Sequence, residues 1–184
     1  MSLEQTPDNL PVPKDDGACD HLTGMKFPDD VSFRCTNENN INIARQSAYT
    51  TIYIYPMTGQ PNVALPEGWD AIPGARGCTP QSCSFRDNHD ELKKYATIYG
   101  LSSQTSEYQL EAKTRLHLPF ELLSDTDFLL KHQLSLPTFS LEGIERYKRL
   151  TLIIQDSIIK KVFYPVFPPD QNATDVLNWF ESQS

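Results

Sequence analysis

The alternation of apolar and polar residues along the chain predicts strands and helices that follow one another in turn. The segment TTIYIYPM, residues 50–57, is apolar on both faces, β-branched and aromatic, which is typical of a central strand covered on both sides. Before it, apolar residues alternate on either side of the turn-like TNENN, residues 36–40, which predicts a hairpin. Residues 1–19 are polar and rich in Pro and Asp, and we expect them to form an extended, mobile arm.

A long loop rich in Gly and Pro, residues 59–77, separates the central strand from a helical pattern over residues 80–96, with Thr79 as its N-cap. The rest of the pattern predicts, in order, a strand at 97–103, a helix at 105–117, a strand at 118–125, a helix at 125–134, an extended segment at 136–141, two strands joined by a turn at 155–157, and a helix at 171–183. This succession indicates an α/β fold with helices around a central sheet, forming one domain over residues 20–184.

Composition and charge exclude several classes of function. The chain has 184 residues, a formal net charge of -8 and a pI of about 4.9, and it has no cluster of Lys and Arg, so it lacks the electrostatic footprint of a nucleic-acid-binding protein. It also suits an anionic membrane surface poorly. The sequence shows no apolar run long enough to span a membrane and no recognisable signal peptide. It also lacks the motifs of serine hydrolases, dinucleotide-binding proteins and P-loop proteins. We therefore expect a cytoplasmic protein that binds neither nucleic acid nor membranes.

Two of the four cysteines, Cys78 and Cys83, lie five residues apart at the predicted start of the helix. Free backbone N–H groups, the positive end of the helix dipole and the nearby Arg76 and Arg86 all favour the thiolate form there, which is the nucleophile. In an intact helix the two Cα atoms would be about 8–9 Å apart, whereas a disulfide spans roughly 4.4–6.8 Å. The pair therefore indicates a redox switch that is helical when reduced and locally unwound when oxidised.

The residues alone leave other interpretations of the cysteines open. Two cysteines can pack as small apolar side chains without ever meeting, and a zinc site is disfavoured because no second matching pair exists. Cys19 in the mobile arm and Cys35 in a strand are expected to be bystanders. The acidic segment DDGACDHL, residues 15–22, has the composition of a metal site, but a solvated arm that packs across the domain is the favoured interpretation.

The segment GCTPQSCSFRDNHDEL, residues 77–92, resembles the peroxiredoxins, in particular the bacterioferritin-comigratory, or Q-type, subfamily. The family pattern is Gly-Cys-Thr-x-x-x-Cys, followed by Arg-Asp and a helix. The resemblance extends to TIYIYP before the loop, to YGLSSQTSEYQLEAKTRLHLPFELLSD after the helix and to KRLTLIIQDSIIKKVFY near the end of the chain. It therefore covers most of residues 20–181.

The resemblance implies a thioredoxin-like fold, with a central mixed β-sheet, flanking helices and an N-terminal hairpin and arm. It also implies a thiol peroxidase activity that needs no metal or cofactor. Cys78 matches the peroxidatic cysteine, which attacks hydrogen peroxide or an alkyl hydroperoxide, and Cys83 matches the resolving cysteine, which forms an intramolecular disulfide with it. Gln81 matches a position that orders the site, and Arg149 matches an arginine that faces the thiolate; the plainer alternatives are a solvated Gln and a strand-edge Arg. A thioredoxin-like dithiol would regenerate the enzyme, which we expect to be a monomer or a weak homodimer.

One position departs from the family pattern, in which a Thr three residues before the peroxidatic cysteine binds the peroxide through its hydroxyl. Ala75 stands there in this chain, and the inserted loop separates Thr58 of YPMT from that position. Thr58 folded back towards the pocket, or Thr79, could supply the hydroxyl. Trp69 in the loop could either cover the pocket or simply pack the loop onto the body of the domain. The departure leaves a second function open, in which the same cysteine pair serves as a non-enzymatic redox sensor.

Overall fold

The computed structural model describes residues 3–184 and gives them an α/β architecture. Within this range the strands are β1 (Phe33–Cys35), β2 (Asn40–Ile41), β3 (Thr50–Ile54), β4 (Thr97–Ser102), β5 (Leu122–Ser124), β6 (Thr138–Leu141), β7 (Ile144–Tyr147), β8 (Leu150–Gln155) and β9 (Ile158–Phe163). The helices are α1 (Cys78–Asp87), α2 (His89–Leu92), α3 (Ser106–Leu116), α4 (Leu129–Leu134) and α5 (Asn172–Ser182). Among the described residues, no helix has both the length and the apolar character needed to cross a membrane.

Seven strands form one mixed sheet in the order β2-β1-β5-β4-β3-β8-β9. Strands β3, β4 and β5 run parallel, whereas β8 is antiparallel to β3 and β9 is antiparallel to β8. The hairpin of β1 and β2 completes the other edge through an antiparallel pairing of β1 with β5. This mixed sheet with its flanking helices confirms the predicted fold class.

Strand β3 lies at the centre of the molecule and contributes side chains to two buried clusters. Ile52 and Ile54 belong to the cluster that includes α4, whereas Tyr53 and Tyr55 belong to the cluster that includes α1 and α5. Successive side chains of a strand point to opposite faces of the sheet, and both faces are covered here, so every residue of β3 is buried. A Cβ at Gly100 of β4 would lie 2.7 Å from the Tyr53 ring, so the glycine makes room for that ring.

The helix that carries the cysteine pair begins and ends earlier than the pattern predicts. Cys78 is its first residue and Gly77 its N-cap, so the prediction of Thr79 as N-cap is wrong and Thr79 lies inside the first turn. The predicted helix 80–96 is divided at Asn88, whose side chain donates a hydrogen bond of 2.9 Å to a backbone carbonyl one turn earlier. Asn side chains compete with regular helix through bonds of this kind, and α2 is therefore a separate short helix.

A second sheet of two strands, β6 and β7, lies outside the main sheet. The pattern predicts β6 as an extended segment and does not predict β7. Glu142 and Gly143 have φ values of 52° and 73°, as in the two-residue turns that join hairpin strands. The guanidinium carbon of Arg146 in β7 lies 5.3 Å from the centre of the Trp69 ring. The hairpin therefore packs against the loop 59–77.

The N-terminal segment packs along the domain through polar and apolar contacts. The Asp16 carboxylate accepts hydrogen bonds from the Tyr164 hydroxyl at 2.9 Å and from Lys148 Nζ at 3.2 Å. Cys19 is buried in the cluster that includes α4, so apolar packing on the domain already begins at the end of the predicted arm. Within residues 3–184 no group of three His, Cys, Asp or Glu side chains could hold a metal ion.

Candidate active site

Cys78 lies where the loop 59–77 passes into α1. Gly77 precedes it with a φ of 109°, a conformation that L side chains rarely adopt, and a Cβ at this position would lie 2.6 Å from Pro169 Cγ. A glycine is therefore needed for the helix to begin here. The Cys78 side chain is only 3% exposed, and its thiol donates to Ala75 O at 3.7 Å. The sulfur is thus fixed beside the N-terminal end of a helix and shielded from bulk water.

The topology of the sheet brings Arg149 to this sulfur. The first residue of β8 pairs with the last residue of β3, so the start of β8 lies beside the segment that leads into the loop and α1. Arg149 Nη2 lies 3.2 Å from Cys78 Sγ, and the guanidinium is buried. Its other hydrogen bonds go to the backbone carbonyls of residues 74–76 and to Gln81 Oε1. Among the described residues these partners include no carboxylate, so the sulfur is the one group of the set that can carry a negative charge.

Gln81 links Arg149 to the C-terminal helix. Its Oε1 accepts from Arg149 Nη1, and its Nε2 donates to Asn172 Oδ1 at 2.9 Å. The same Asn172 oxygen accepts the Thr151 hydroxyl at 2.7 Å, and all four side chains are buried. The structure therefore brings the predicted residues Cys78, Gln81 and Arg149 together. It adds Asn172 and Thr151, which lie far from Cys78 in the chain and carry no local sequence signal for the site.

Cys83 lies in the second turn of α1, is partly exposed and forms no bond with Cys78. Burial raises the pKa of its thiol above the ordinary value. The helix around it is anchored by Ser82, whose Oγ is 3.0 Å from the Tyr53 hydroxyl, and by Phe85, whose ring stacks on Tyr53 at 4.4 Å. Helical geometry keeps the two cysteines too far apart for a disulfide, so Cys83 reaches Cys78 only if part of α1 unwinds.

A small cavity lies against Cys78. Its volume is about 10 Å³, which is at the lower limit of what a single water molecule needs. Leu3, Leu65 and Trp69 are among the residues that line it, and Thr79 lines it from the helix. The Trp69 ring also packs against the β6–β7 hairpin, with its centre 5.9 Å from the centre of the Phe139 ring in β6. Trp69 therefore both covers the pocket and packs the loop onto the domain, the two roles that the sequence left open.

The hydroxyl expected to bind a peroxide has two candidates. Ala75, at the family position, is buried and has no hydroxyl to offer. Thr58 is fully buried, and its Oγ1 has no hydrogen-bond partner among the described residues. Its neighbours Met57 and Gly59 line the cavity, as does Thr79. Buried hydroxyls normally have a hydrogen-bond partner, so the unsatisfied Thr58 hydroxyl is the stronger of the two candidates for binding a peroxide.

The other two cysteines lie away from the site, in the buried cluster on the opposite face of the sheet from Cys78. Burial raises the pKa of Cys19 to about 12 and the pKa of Cys35 to about 11. Both therefore stay protonated at neutral pH, where a thiol is a poor nucleophile. This placement fits the role of bystanders.

The chain is similar to known proteins in both sequence and structure. The family described as Redoxin matches residues 22–177. The chloroplastic peroxiredoxin Q of Sedum lineare is 29% identical over 110 residues, which are 58% of this chain and 57% of that protein. The chain spans about half the length of two further relatives of the same name, from Suaeda salsa and Oryza sativa subsp. japonica.

Solved structures show the same fold. The peroxidoxin BcpB of Mycobacterium tuberculosis superposes with a TM-score of 0.72 at 21% identity, covering 89% of this chain and 99% of that one. The bacterioferritin comigratory protein of Xanthomonas campestris has a TM-score of 0.67 at 18% identity, covering 86% and 97%. The Redoxin match extends over most of the chain and includes the cysteine helix and Arg149. This chain therefore belongs to the Redoxin family and is similar to the Q-type peroxiredoxins within it.

Proposed function

We propose that this protein is a thiol peroxidase, which reduces hydrogen peroxide or alkyl hydroperoxides through Cys78 and Cys83. The observation that carries the proposal is the 3.2 Å contact between Arg149 Nη2 and the buried Cys78 sulfur at the start of a helix. Membership of the Redoxin family supports it. The Xanthomonas campestris protein, to which the chain is similar in fold, is described as reducing alkyl peroxides.

In the first step the Cys78 thiolate attacks one oxygen of the peroxide, so that an S–O bond forms while the O–O bond breaks. The electron pair of the O–O bond leaves with the second oxygen, which takes up a proton and departs as water or an alcohol. The sulfur is oxidised to a sulfenic acid. Arg149 and the free backbone N–H groups at the start of α1 stabilise the charge that develops on oxygen, and the hydroxyl of Thr58 or Thr79 holds the peroxide.

In the second step the start of α1 unwinds and the Cys83 sulfur attacks the Cys78 sulfur. The S–S bond forms as the S–O bond breaks, Cys83 gives up its proton, and the oxygen leaves as water. Burial raises the pKa of Cys83 and so disfavours its thiolate while the helix is intact. Unwinding exposes the thiol to water and removes this effect, which makes Cys83 a better nucleophile. A thioredoxin-like dithiol then reduces the disulfide by exchange and is itself oxidised.

We also propose that the protein acts in the cytoplasm as a monomer or a weak homodimer. The relatives named above are called chloroplastic, so a plastid location is the alternative to the proposed cytoplasmic one. Cell fractionation tests the location, and sedimentation velocity over a range of concentrations tests the oligomeric state.

The test of the peroxidase function is peroxide-dependent NADPH consumption, coupled through thioredoxin and thioredoxin reductase. We expect turnover in the wild type, none in Cys78→Ser, and a single oxidation without turnover in Cys83→Ser, with the sulfenic acid trapped by dimedone. Cys35→Ser removes a matched buried cysteine and should turn over like the wild type. Turnover in Cys78→Ser would disprove the proposed site. A wild type that loses both thiols to peroxide without turnover would instead establish the redox sensor.

A further inference from the structure

Asn172, the first residue of α5, lies at the end of a buried hydrogen-bond chain that reaches the reactive sulfur. Its Oδ1 accepts two hydrogen bonds, from Gln81 Nε2 at 2.9 Å and from the Thr151 hydroxyl at 2.7 Å. Gln81 Oε1 in turn accepts from Arg149, whose Nη2 contacts Cys78 Sγ at 3.2 Å. Asn172 is 1% exposed and Gln81 is fully buried, so water cannot replace a partner that is lost.

The hydrogen-bond chain has only one consistent direction, because a guanidinium can only donate. Arg149 therefore requires the oxygen of the Gln81 amide, which turns the amide NH₂ group towards Asn172. Asn172 must then present its oxygen to Gln81, and the Thr151 hydroxyl donates to that same oxygen. If the Gln81 amide turned over, its NH₂ group would face the buried guanidinium and Arg149 would lose an acceptor. An acceptor at position 172 thus stabilises the orientation of Gln81 that Arg149 requires.

We propose that Asn172 is a positioning residue, which orients the Gln81 amide so that Gln81 holds the Arg149 guanidinium against Cys78. It touches neither the sulfur nor a bound peroxide and acts only through Gln81. The effect is partial, because Arg149 also donates to backbone carbonyls of residues 74–76. The kinetic consequence rests on the proposed peroxidase function, whereas the effect on the state of the Cys78 sulfur does not.

The decisive experiment compares the effect of Asn172→Leu in two backgrounds. Leu is chosen because it is similar in size to Asn and removes the oxygen that accepts from Gln81. In the first background, Cys83→Ser with Gln81 unchanged, we expect Asn172→Leu to slow the single-turnover oxidation of Cys78 by hydrogen peroxide about tenfold. This factor is the equivalent of one lost hydrogen bond. In a Gln81→Glu background the carboxylate has two equivalent oxygens and no amide to orient. There we expect Asn172→Leu to change the rate by less than about twofold. An equal loss in both backgrounds would overturn the proposal.

Three additional measurements separate positioning from a general structural effect. Val176→Ala removes buried volume from the same helix without touching the hydrogen-bond chain, and it should lower the melting temperature without slowing the oxidation. Thr151→Val keeps the shape of the side chain and removes one donor to Asn172, and it should reproduce a smaller loss that also disappears in the Gln81→Glu background. If Asn172→Leu does not fold, Thr151→Val alone decides by the same comparison.

The far-ultraviolet absorbance of the thiolate provides a readout that needs no peroxide. Measured at pH 7 against Cys78→Ser, the absorbance assigned to Cys78 should fall in Asn172→Leu and stay nearly unchanged when Gln81 is already Glu. A parent protein that does not react with peroxide would disprove the proposed function, and this absorbance would still test Asn172. An absorbance that Asn172→Leu leaves unchanged in the wild-type background would refute the role of Asn172.

Discussion

Replacing Arg149 by Met removes the guanidinium and keeps an unbranched side chain of similar length. The guanidinium contacts the Cys78 sulfur at 3.2 Å and also donates to Ala75 O at 3.0 Å and Gly74 O at 3.3 Å. The substitution therefore removes both a donor to the reacting sulfur and the support of the loop that precedes it. Four acceptors, the backbone carbonyls of residues 74–76 and the Gln81 oxygen, would then lack this donor.

The expected loss follows from the number of donors directed at the developing charge. Removing one preorganised donor of an oxyanion-binding site lowers rates by about 10²–10³-fold, and Arg149 is the charged donor of this site. We expect the second-order rate constant for oxidation of Cys78 to fall by that factor. The unfolding free energy should change by only about 1–3 kcal/mol, because the cost of unsatisfied acceptors is opposed by the gain from removing a buried charge.

The assay is stopped-flow oxidation of Cys78 by hydrogen peroxide in the Cys83→Ser background, at a temperature well below unfolding. Arg86→Met provides a matched control, since Arg86 lies on the same helix but donates to Leu116 O at 2.8 Å rather than to the sulfur. That variant should react within about twofold of the parent, as its charge is largely screened by solvent. An Arg149→Met rate within tenfold of the parent, or an equal loss in Arg86→Met, would refute the assignment of Arg149 to charge stabilisation.

Three further predictions concern the fold around the site. Gly77→Ala should lower the unfolding free energy measured in urea by about 2–5 kcal/mol, because the backbone is strained for any side chain and Pro169 occupies the space of the new methyl group. Hydrogen bonding from the Tyr164 hydroxyl, with smaller contributions from a backbone N–H and Lys148, lowers the pKa of Asp16 from 3.8 to about 2, so its stabilising effect is present above pH 3.8 and is lost as the pH falls towards 2. The melting temperature of Asp16→Asn should therefore lie below that of the wild type at pH 6, and the two should converge near pH 2. Peptide mapping after brief alkylation at pH 7 should find Cys19 and Cys35 unlabelled until the protein is unfolded, since burial raises the pKa values of both thiols.

Each of these predictions has a contradicting result. Gly77→Ala with wild-type stability would mean that the chain reaches α1 by another backbone path. A difference in melting temperature between wild type and Asp16→Asn that persists at pH 2 would assign the effect to packing rather than to charge. Rapid labelling of Cys35 in the native protein would show that the cluster around it opens readily.

Patterns that are local in the chain predicted most of the fold. The run TTIYIY identified β3, because a strand covered on both sides needs apolar side chains on both of its faces. The predicted hairpin of β8 and β9 and the terminal helix α5 likewise follow from alternation and helical spacing within short segments. Strand β7 escaped prediction because its turn is formed by Glu142 and Gly143, whereas the strongest hairpin signals are Asn-Gly and Asp-Gly.

In the site, too, the residues with a local sequence signal could be predicted, whereas those brought in by distant contacts could not. Cys78 and Cys83 are recognisable because their spacing and their place at a helix start carry chemical meaning within six residues. Asn172 is separated from Gln81 by 91 positions, and its sequence context indicates only the start of a helix. Its contact with Gln81 arises from the packing of α5 against α1, which no local pattern specifies.

The two halves of α1 are held by different kinds of contact, and this difference suits a helix that has to unwind at one end. The first turn is held in part by hydrogen bonds of Gln81 and Arg149, whose polar groups water can satisfy once the turn opens. Farther along, Phe85 is fully buried and stacks on Tyr53, so unwinding past it would expose a large aromatic side chain, at a cost of about 1.5–3 kcal/mol. Cys83 lies before that anchor. Unwinding that releases Cys83 can therefore stop at Phe85, which keeps the rest of the helix on the sheet while the two sulfurs meet.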